Sequence, residues 1–419
     1  MGRSESWTYV SYLEHLTSCT VLRNELAEGR LLPIHLLFTP VPNNVLLYNA
    51  CRCISFSYME ANLMLVSRLA PCVGEPQQGS RAEVPRMAPR LTLFDVLKGL
   101  LIILVVIGHF MHPVHNDNPV MSAGFDVIYL FHMPLFVFVS GLFAKGAYRD
   151  GKLNVNRIIS YVVLGIAFQA ALLVINGQQV LSIRLLRFSS APWYFIAMAW
   201  WYACLPVLHE MGARRGLVAA SILALLWGTI DLSSGFLAIS RAIAFLPWFA
   251  AGYYLRPQSV IAFKKRHPVL LAGAVTLFVL IVLARCLDPH SLDFFFQRVY
   301  GDTPYLHGMV RGMVEKLVAS AISFVCGLAV LRMLPEHAPR LEVLGRRTLQ
   351  VYVLHRLIRA ALTFRIPLYK QPVMLDPLWG TIIVLACSAV VIVVCAALPV
   401  SDWFSRVVHH KWLSGRGSS

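Results

Sequence analysis

Lys98 and His109 are the first residues in this sequence whose types and spacing suggest chemistry. Both lie in the apolar run DVLKGLLIILVVIGHF, residues 95–110. A charge inside a membrane helix costs about 2.5–3.5 kcal/mol on insertion scales, so such groups are rare unless something solvates or uses them. The two are just over three helical turns apart, which puts them on one face, separated by about 16 Å along the axis. Asp95 stands one turn before Lys98, placed for an i,i+3 pair. At this end the plain reading is a surface anchor with Lys98 snorkelling, and the chemical one is an anion-binding pair. For His109 the plain reading is an interfacial histidine. The chemical one is a base, since imidazole titrates near neutral pH and can take the proton of a hydroxyl.

Other polar residues fall at a similar depth. His132 opens the stretch FHMPLFVFVSG, residues 131–141, where Pro134 can break a helix and Ser140-Gly141 allow close packing. Arg241 lies in SRAIAFLPWFAAGYYL, and His355 and Arg356 lie in GRRTLQVYVLHRLIRA. Glu315 and Lys316 open a further apolar segment. Each could be a structural ion pair or hydrogen bond. Gathered around one polar cavity in the outer half of the membrane, they would be mutually solvated. Trp193 and Tyr194, in SAPWYF, read as interface aromatics or as a sugar platform. His109, His112 and His115, in HFMHPVH, have no adjoining carboxylate, and Pro113 ends the helix between them, so no metal site is expected.

The elements that must hold these residues are membrane helices. The chain has 419 residues, 57% hydrophobic and 14% charged, with mean hydropathy +0.64. Soluble domains carry about a quarter charged residues, so composition points to a polytopic membrane protein. The net charge of +16 comes without a dense basic run or a nucleic-acid motif, and no nucleic-acid partner is expected. Cys204, Cys326, Cys387 and Cys395 sit in apolar runs as small hydrophobes.

Ten apolar segments of membrane-helix length follow residue 90, near 94–112, 124–144, 158–176, 192–208, 216–231, 235–255, 268–285, 314–334, 344–365 and 377–400. With both termini cytoplasmic, nineteen Lys and Arg fall in inside stretches against five in outside loops. The fold class expected is therefore all-α, with about ten transmembrane helices. The longest outside loop, about 286–313, is aromatic-rich and suited to form a mouth. Residues 1–89 mix charge, Pro and Cys and read as a poorly ordered extension, with a natural start for the polytopic part near Met87. The membrane domain then covers 90–410 and a cytoplasmic tail 411–419.

Four stretches in order now carry a resemblance: DVLKGLLIILVVIGH, FHMPLFVFVSG, RAIAFLPWFAAGYYL and LGRRTLQVYVLH. Together they resemble the acyltransferase-3 superfamily of integral membrane acyltransferases, and within it the fucose 4-O-acetylase-like proteins that modify bacterial polysaccharides and oligosaccharides. The resemblance covers roughly residues 88–410. Its hallmark is a basic residue and a histidine with ten residues between them in the first helix, here Lys98 and His109. The wider superfamily usually has arginine at the first position. Lysine is a point charge without the bidentate fork.

What the resemblance implies is transfer of an acyl group, usually acetyl, from cytoplasmic acyl-coenzyme A to a sugar hydroxyl. Acetyl-coenzyme A or another acyl-coenzyme A is then a co-substrate, and no bound cofactor is expected. The acceptor is a carbohydrate, free or lipid-linked, and the location is the bilayer of the bacterial inner membrane. His109 would be catalytic with His132 beside it, while Lys98 and Asp95 would meet coenzyme A phosphates. Arg241, His355, Trp193, Tyr194 and Lys316 are the candidate substrate contacts. The rival readings are a secondary transporter or lipid-linked sugar flippase, and a non-catalytic assembly subunit. Transporters often break helices at corresponding places in two halves. Here Pro134 and Pro247 interrupt segments two and six in dissimilar contexts, and a structural subunit leaves Lys98 and His109 unexplained.

Overall fold

The computed structural model describes residues 91–232, 234–305 and 308–413. The proposed extension over 1–89, the start near Met87 and most of the tail lie outside the described residues. Within them the chain is mostly helical. In order come α1 (Thr92–Met111), α2 (Pro119–Tyr129), α3 (His132–Leu142), α4 (Val155–Ile175), α5 (Trp193–Ala203), α6 (Leu205–Leu226) and α7 (Ile239–Tyr254). Then come α8 (Pro257–Arg266), α9 (Pro268–Leu287), α10 (Phe295–Tyr300), α11 (Met309–Met333), α12 (Pro339–Arg346), α13 (Thr348–Phe364), α14 (Trp379–Ala397) and α15 (Ser401–Val408). A two-residue hairpin pairs Tyr148–Arg149 with Lys152–Leu153.

Among the described residues, six spans are long and apolar enough to cross a membrane: α1, the α2–α3 pair, α4, α9, α11 and α14. The remaining expected segments form helices that fall short of that measure. α5 and α7 have 11 and 16 residues, and Gly212, at φ 69°, breaks α6 just before Arg214 and Arg215. α13 has 17 residues and carries Gln350, His355, Arg356 and Arg359, so its polar load lowers its hydropathy. Burial separates the spans into inner and outer. α1 and α2–α3 are mostly buried, whereas α9 and α14 expose Leu280, Leu283, Val390 and Val393 outward. Apolar side chains facing outward from long helices are what a lipid surface requires.

Pro134 acts as the sequence suggests. Without an N–H it cannot continue an incoming helix, and the chain breaks between Tyr129 and His132. His132 Nδ1 then donates to the Ile128 carbonyl at 2.8 Å, one of the acceptors near the break. Pro247 is different: α7 runs through it unbroken, so segment six is not interrupted there. The helix tolerates the lost bond because α3, α5 and α6 pack around it.

Two glycine contacts set the inner helices. Gly141 on α3 and Gly252 on α7 each face the other helix's backbone, and a Cβ at either would come 2.0 Å from Phe249 or Phe138 carbonyl oxygen. On α1 and α12, a Cβ at Gly99 would meet Leu341 oxygen at 2.1 Å, and one at Gly345 would meet Asp95 oxygen at 1.9 Å. Backbone cannot yield as a side-chain tip can, so small residues are required at these crossings. Gly345→Ala is accordingly expected to cost at least about 1–3 kcal/mol, the usual range for overpacking. Gly146→Ala, with nothing within 4 Å of its Cβ, should be neutral. Thermal unfolding of the two detergent-purified variants tests this; equal midpoints would refute the close approach.

Candidate active site around His109 and His355

α1 and α13 pack side by side and bring together two histidines separated by 246 residues. His109 Nδ1 lies 2.8 Å from His355 Nε2. The two rings are nearly parallel, at 10°, with centroids 5.1 Å apart, the spacing that an in-plane N···N contact itself produces. His355 is fully buried, and its Nδ1 lies 2.7 Å from the Val351 carbonyl one turn back on α13.

The network assigns the protons. A carbonyl only accepts, so His355 Nδ1 carries a hydrogen and donates to Val351. The Nε2 of a neutral His355 is then an acceptor. His109 Nδ1 must donate to it, which leaves the lone pair on His109 Nε2. A neutral histidine held in that tautomer is a ready base.

His109 lines a cavity of about 230 Å³. Its walls come from seven helices, α1 with His109 among them, and from the segment before α5. α2 and α3 contribute Tyr129 and His132, α5 contributes Trp193, α7 contributes Arg241, and α10 contributes Phe296 and Tyr300. Tyr352, Arg356 and Arg359 face it from α13, and Ser189 and Ser190 from the segment before α5. Arg241 gives Nε to both oxygens of Asp302, at 3.0 and 2.7 Å, and its guanidinium sits 5.4 Å from the Trp193 ring and 5.5 Å from Tyr300. That fixes the arginine and, through Asp302, the end of the aromatic loop. The loop expected to form a mouth is folded here as α10, whose Phe296 and Tyr300 rings stack at 4.6 Å.

Of the residues singled out in the sequence, His109, His112, His132, Trp193, Arg241 and Arg356 meet at this cavity. His355 is not among the lining residues; it stands behind His109 as a hydrogen-bond partner. Tyr194 is turned away, its hydroxyl 2.6 Å from Ser140. Lys316 is buried and donates to the Arg298 and Val299 carbonyls at 2.6 and 3.2 Å, while Glu315 holds Arg298 at 2.8 Å. These two residues of α11 anchor α10, so Lys316 supports the wall without touching the cavity. Trp193 and Tyr194 are both buried, not interface aromatics. Lys98 and Asp95 pair at 2.8 Å near the start of α1 and are also outside the cavity. His132 keeps Nδ1 on Ile128, so as a neutral ring it offers the cavity an acceptor and no second N–H.

Sequence reasoning overlooked Tyr129, Tyr352 and Arg359. A signal existed for the last, since Arg356 and Arg359 recur at i,i+3 in LHRLIRA beside His355.

Residues 92–399, nearly three quarters of the chain, match the acyltransferase domain of the acyltransferase-3 type. The chain belongs to the acyltransferase-3 family. Two curated relatives share a short stretch with it. Nodulation protein NolL of Sinorhizobium fredii is 52% identical over 56 residues, and nodulation protein NolL of Mesorhizobium japonicum is 46% identical over 57. Each match covers 13% of this chain and 15% of the relative, so the chain spans about one seventh of the curated relatives it matches. No solved structure matches the chain. The domain is thus an acyltransferase domain in a multi-pass helical membrane protein.

Proposed function

We propose that this protein is a membrane O-acyltransferase that moves an acetyl group from acetyl-coenzyme A to a hydroxyl of a carbohydrate acceptor, free or lipid-linked. The observation that carries the reading is the chain from His109 Nδ1 to His355 Nε2 and from His355 Nδ1 to Val351, on the wall of a cavity in an acyltransferase domain. In the membrane the four shorter helical segments join the six long ones as ten passes, with both termini cytoplasmic in a bacterial inner membrane. The excess of Lys and Arg in the inside stretches supports that orientation.

The step runs as follows. His109 Nε2 takes the proton of the acceptor hydroxyl while its oxygen bonds to the thioester carbon. The carbonyl π pair moves to oxygen, and the remaining Nη1 donors of Arg241 stabilise that oxyanion, its Nε and Nη2 being held by Asp302. The pair then returns, the C–S bond breaks, and the coenzyme A sulfur leaves with the proton from His109. The products are the sugar ester and coenzyme A, and the histidine is regenerated. Trp193 and Tyr300 give the flat apolar faces against which a sugar ring stacks.

Lys98, held by Asp95 and lying over the Phe143 ring at 5.8 Å, takes a coenzyme A phosphate at the inner end of α1. Its distance from His109, about 16 Å by helical rise, suits an extended pantetheine arm. Lys98→Met is expected to raise the KM for acetyl-coenzyme A about tenfold, the loss of one charge-assisted contact, with kcat nearly unchanged and Lys98→Arg largely restored. An unaltered KM in Lys98→Met would remove the residue from donor binding.

The reading as a whole is tested with labelled acetyl-coenzyme A and membranes containing or lacking the protein. Label entering the carbohydrate fraction only with the protein supports it. Carbohydrate flux across the membrane with no acetyl-coenzyme A consumed would instead make the chain a transporter.

A further inference from the structure

The cavity holds more positive charge than its own residues neutralise. Arg356 and Arg359 lie one turn apart on α13 and both line it. Arg359 is buried, with 8% of its surface exposed, and its Nε has no hydrogen-bond partner; Arg356 Nη1 is equally buried and unpartnered. The bonds they do make are to neutral groups. Arg356 Nε donates to Ser190 Oγ at 3.2 Å, and the Arg359 guanidinium sits 5.9 Å from the Tyr369 ring. No carboxylate is among the described residues lining the cavity, and Asp302, which reaches Arg241, is committed to that arginine. Buried guanidiniums without a counter-charge are costly. Two of them side by side are retained where a ligand brings the missing charge.

The geometry points to an anion subsite formed by Arg356 and Arg359 inside the acceptor cavity, so that the acceptor is a sugar carrying a carboxylate or a phosphate near the hydroxyl to be acylated. This rests on the acyltransferase reading of the same site. The charge belongs to the acceptor and not to the donor on two grounds. Coenzyme A carries its phosphates at the far end of the pantetheine arm from the thioester, which must itself reach His109 here. The cavity, at about 230 Å³, is also smaller than the usual ligand pocket of about 300–1,000 Å³. It has room for a sugar ring with one charged substituent, and none for a nucleotide besides. Planar forks at i,i+3 suit either anion, since guanidinium pairs carboxylate and phosphate alike through two parallel N–H bonds.

The test is ligand-dependent thermal unfolding of the full chain in detergent, at constant ionic strength, with glucose, glucuronate, glucose 1-phosphate and acetyl-coenzyme A. The two anionic sugars should raise the midpoint and glucose should not. Arg356→Gln and Arg359→Gln should each weaken the anionic sugar at least tenfold while leaving the acetyl-coenzyme A response in place, and Arg359→Lys should keep part of the binding. Equal responses to glucose and its anionic forms, or no response to either anion, would overturn the subsite. Loss of the acetyl-coenzyme A response in the glutamine variants would overturn the assignment to the acceptor and give the charge to the donor's phosphates. Transfer of labelled acetyl groups is read on the same preparations. Anion binding that depends on both arginines, without any transfer, would sink the acyltransferase reading and keep the subsite; transfer to neutral sugars without anion binding would do the reverse.

Discussion

His109→Gln is expected to lower acyl transfer by about 10²–10⁴-fold, the range that a positioned general base contributes. Glutamine is close in size and can still donate an amide N–H towards His355 Nε2, so the α1–α13 contact survives. What it lacks is a basic lone pair at the place of Nε2. The KM for acetyl-coenzyme A should stay within about threefold, because a proton-transfer role acts in the transition state and not on donor binding. Labelled acetyl transfer at matched protein levels measures both. A variant keeping more than a tenth of wild-type activity would take the base role from His109 and give it to His132, whose Nε2 also faces the cavity as an acceptor when the ring is neutral.

The second large effect concerns a residue that touches no substrate. His355→Phe keeps a flat ring in the fully buried position but removes the acceptor at 2.8 Å from His109 Nδ1. A buried N–H then loses its partner, at a cost of about 1–3 kcal/mol. His109 escapes that cost by rotating or by moving its hydrogen to Nε2, and either move takes away the base. Transfer should fall about 10²-fold or more, since loss of the group that fixes a catalytic imidazole's tautomer can reach about 10⁴. His355→Gln, whose Oε1 can accept from His109, should recover to within about tenfold of wild type. A purely structural His355 would give parallel losses of activity and thermal stability in both variants, with no rescue by glutamine. That pattern would reduce the histidine pair to packing.

The sequence was most informative where backbone chemistry and hydropathy act locally. The first apolar run, expected near 94–112, forms Thr92–Met111, and the seventh, expected near 268–285, forms Pro268–Leu287. Pro134 broke its helix because a missing N–H is a property of the residue. Asp95 and Lys98 paired because i,i+3 geometry is fixed by helical pitch. Pro247 misled because its lost bond was tolerated by neighbours that its own sequence does not mention.

Membership of a helical membrane acyltransferase class and the i,i+3 pair at the start of α1 were thus determined by sequence alone. They depend on composition, on periodicity and on motifs a few turns long. Only the tertiary structure decided which polar residues share a cavity. Lys316 and Arg241 looked alike as lone cations in apolar segments, yet one is spent on the carbonyls of α10 and the other faces the site. His355 stands behind His109 as its hydrogen-bond partner. The reason is that a buried polar group takes whichever donor, acceptor or charge the packing brings within reach, and on α1 and α13 that packing joins residues 246 positions apart.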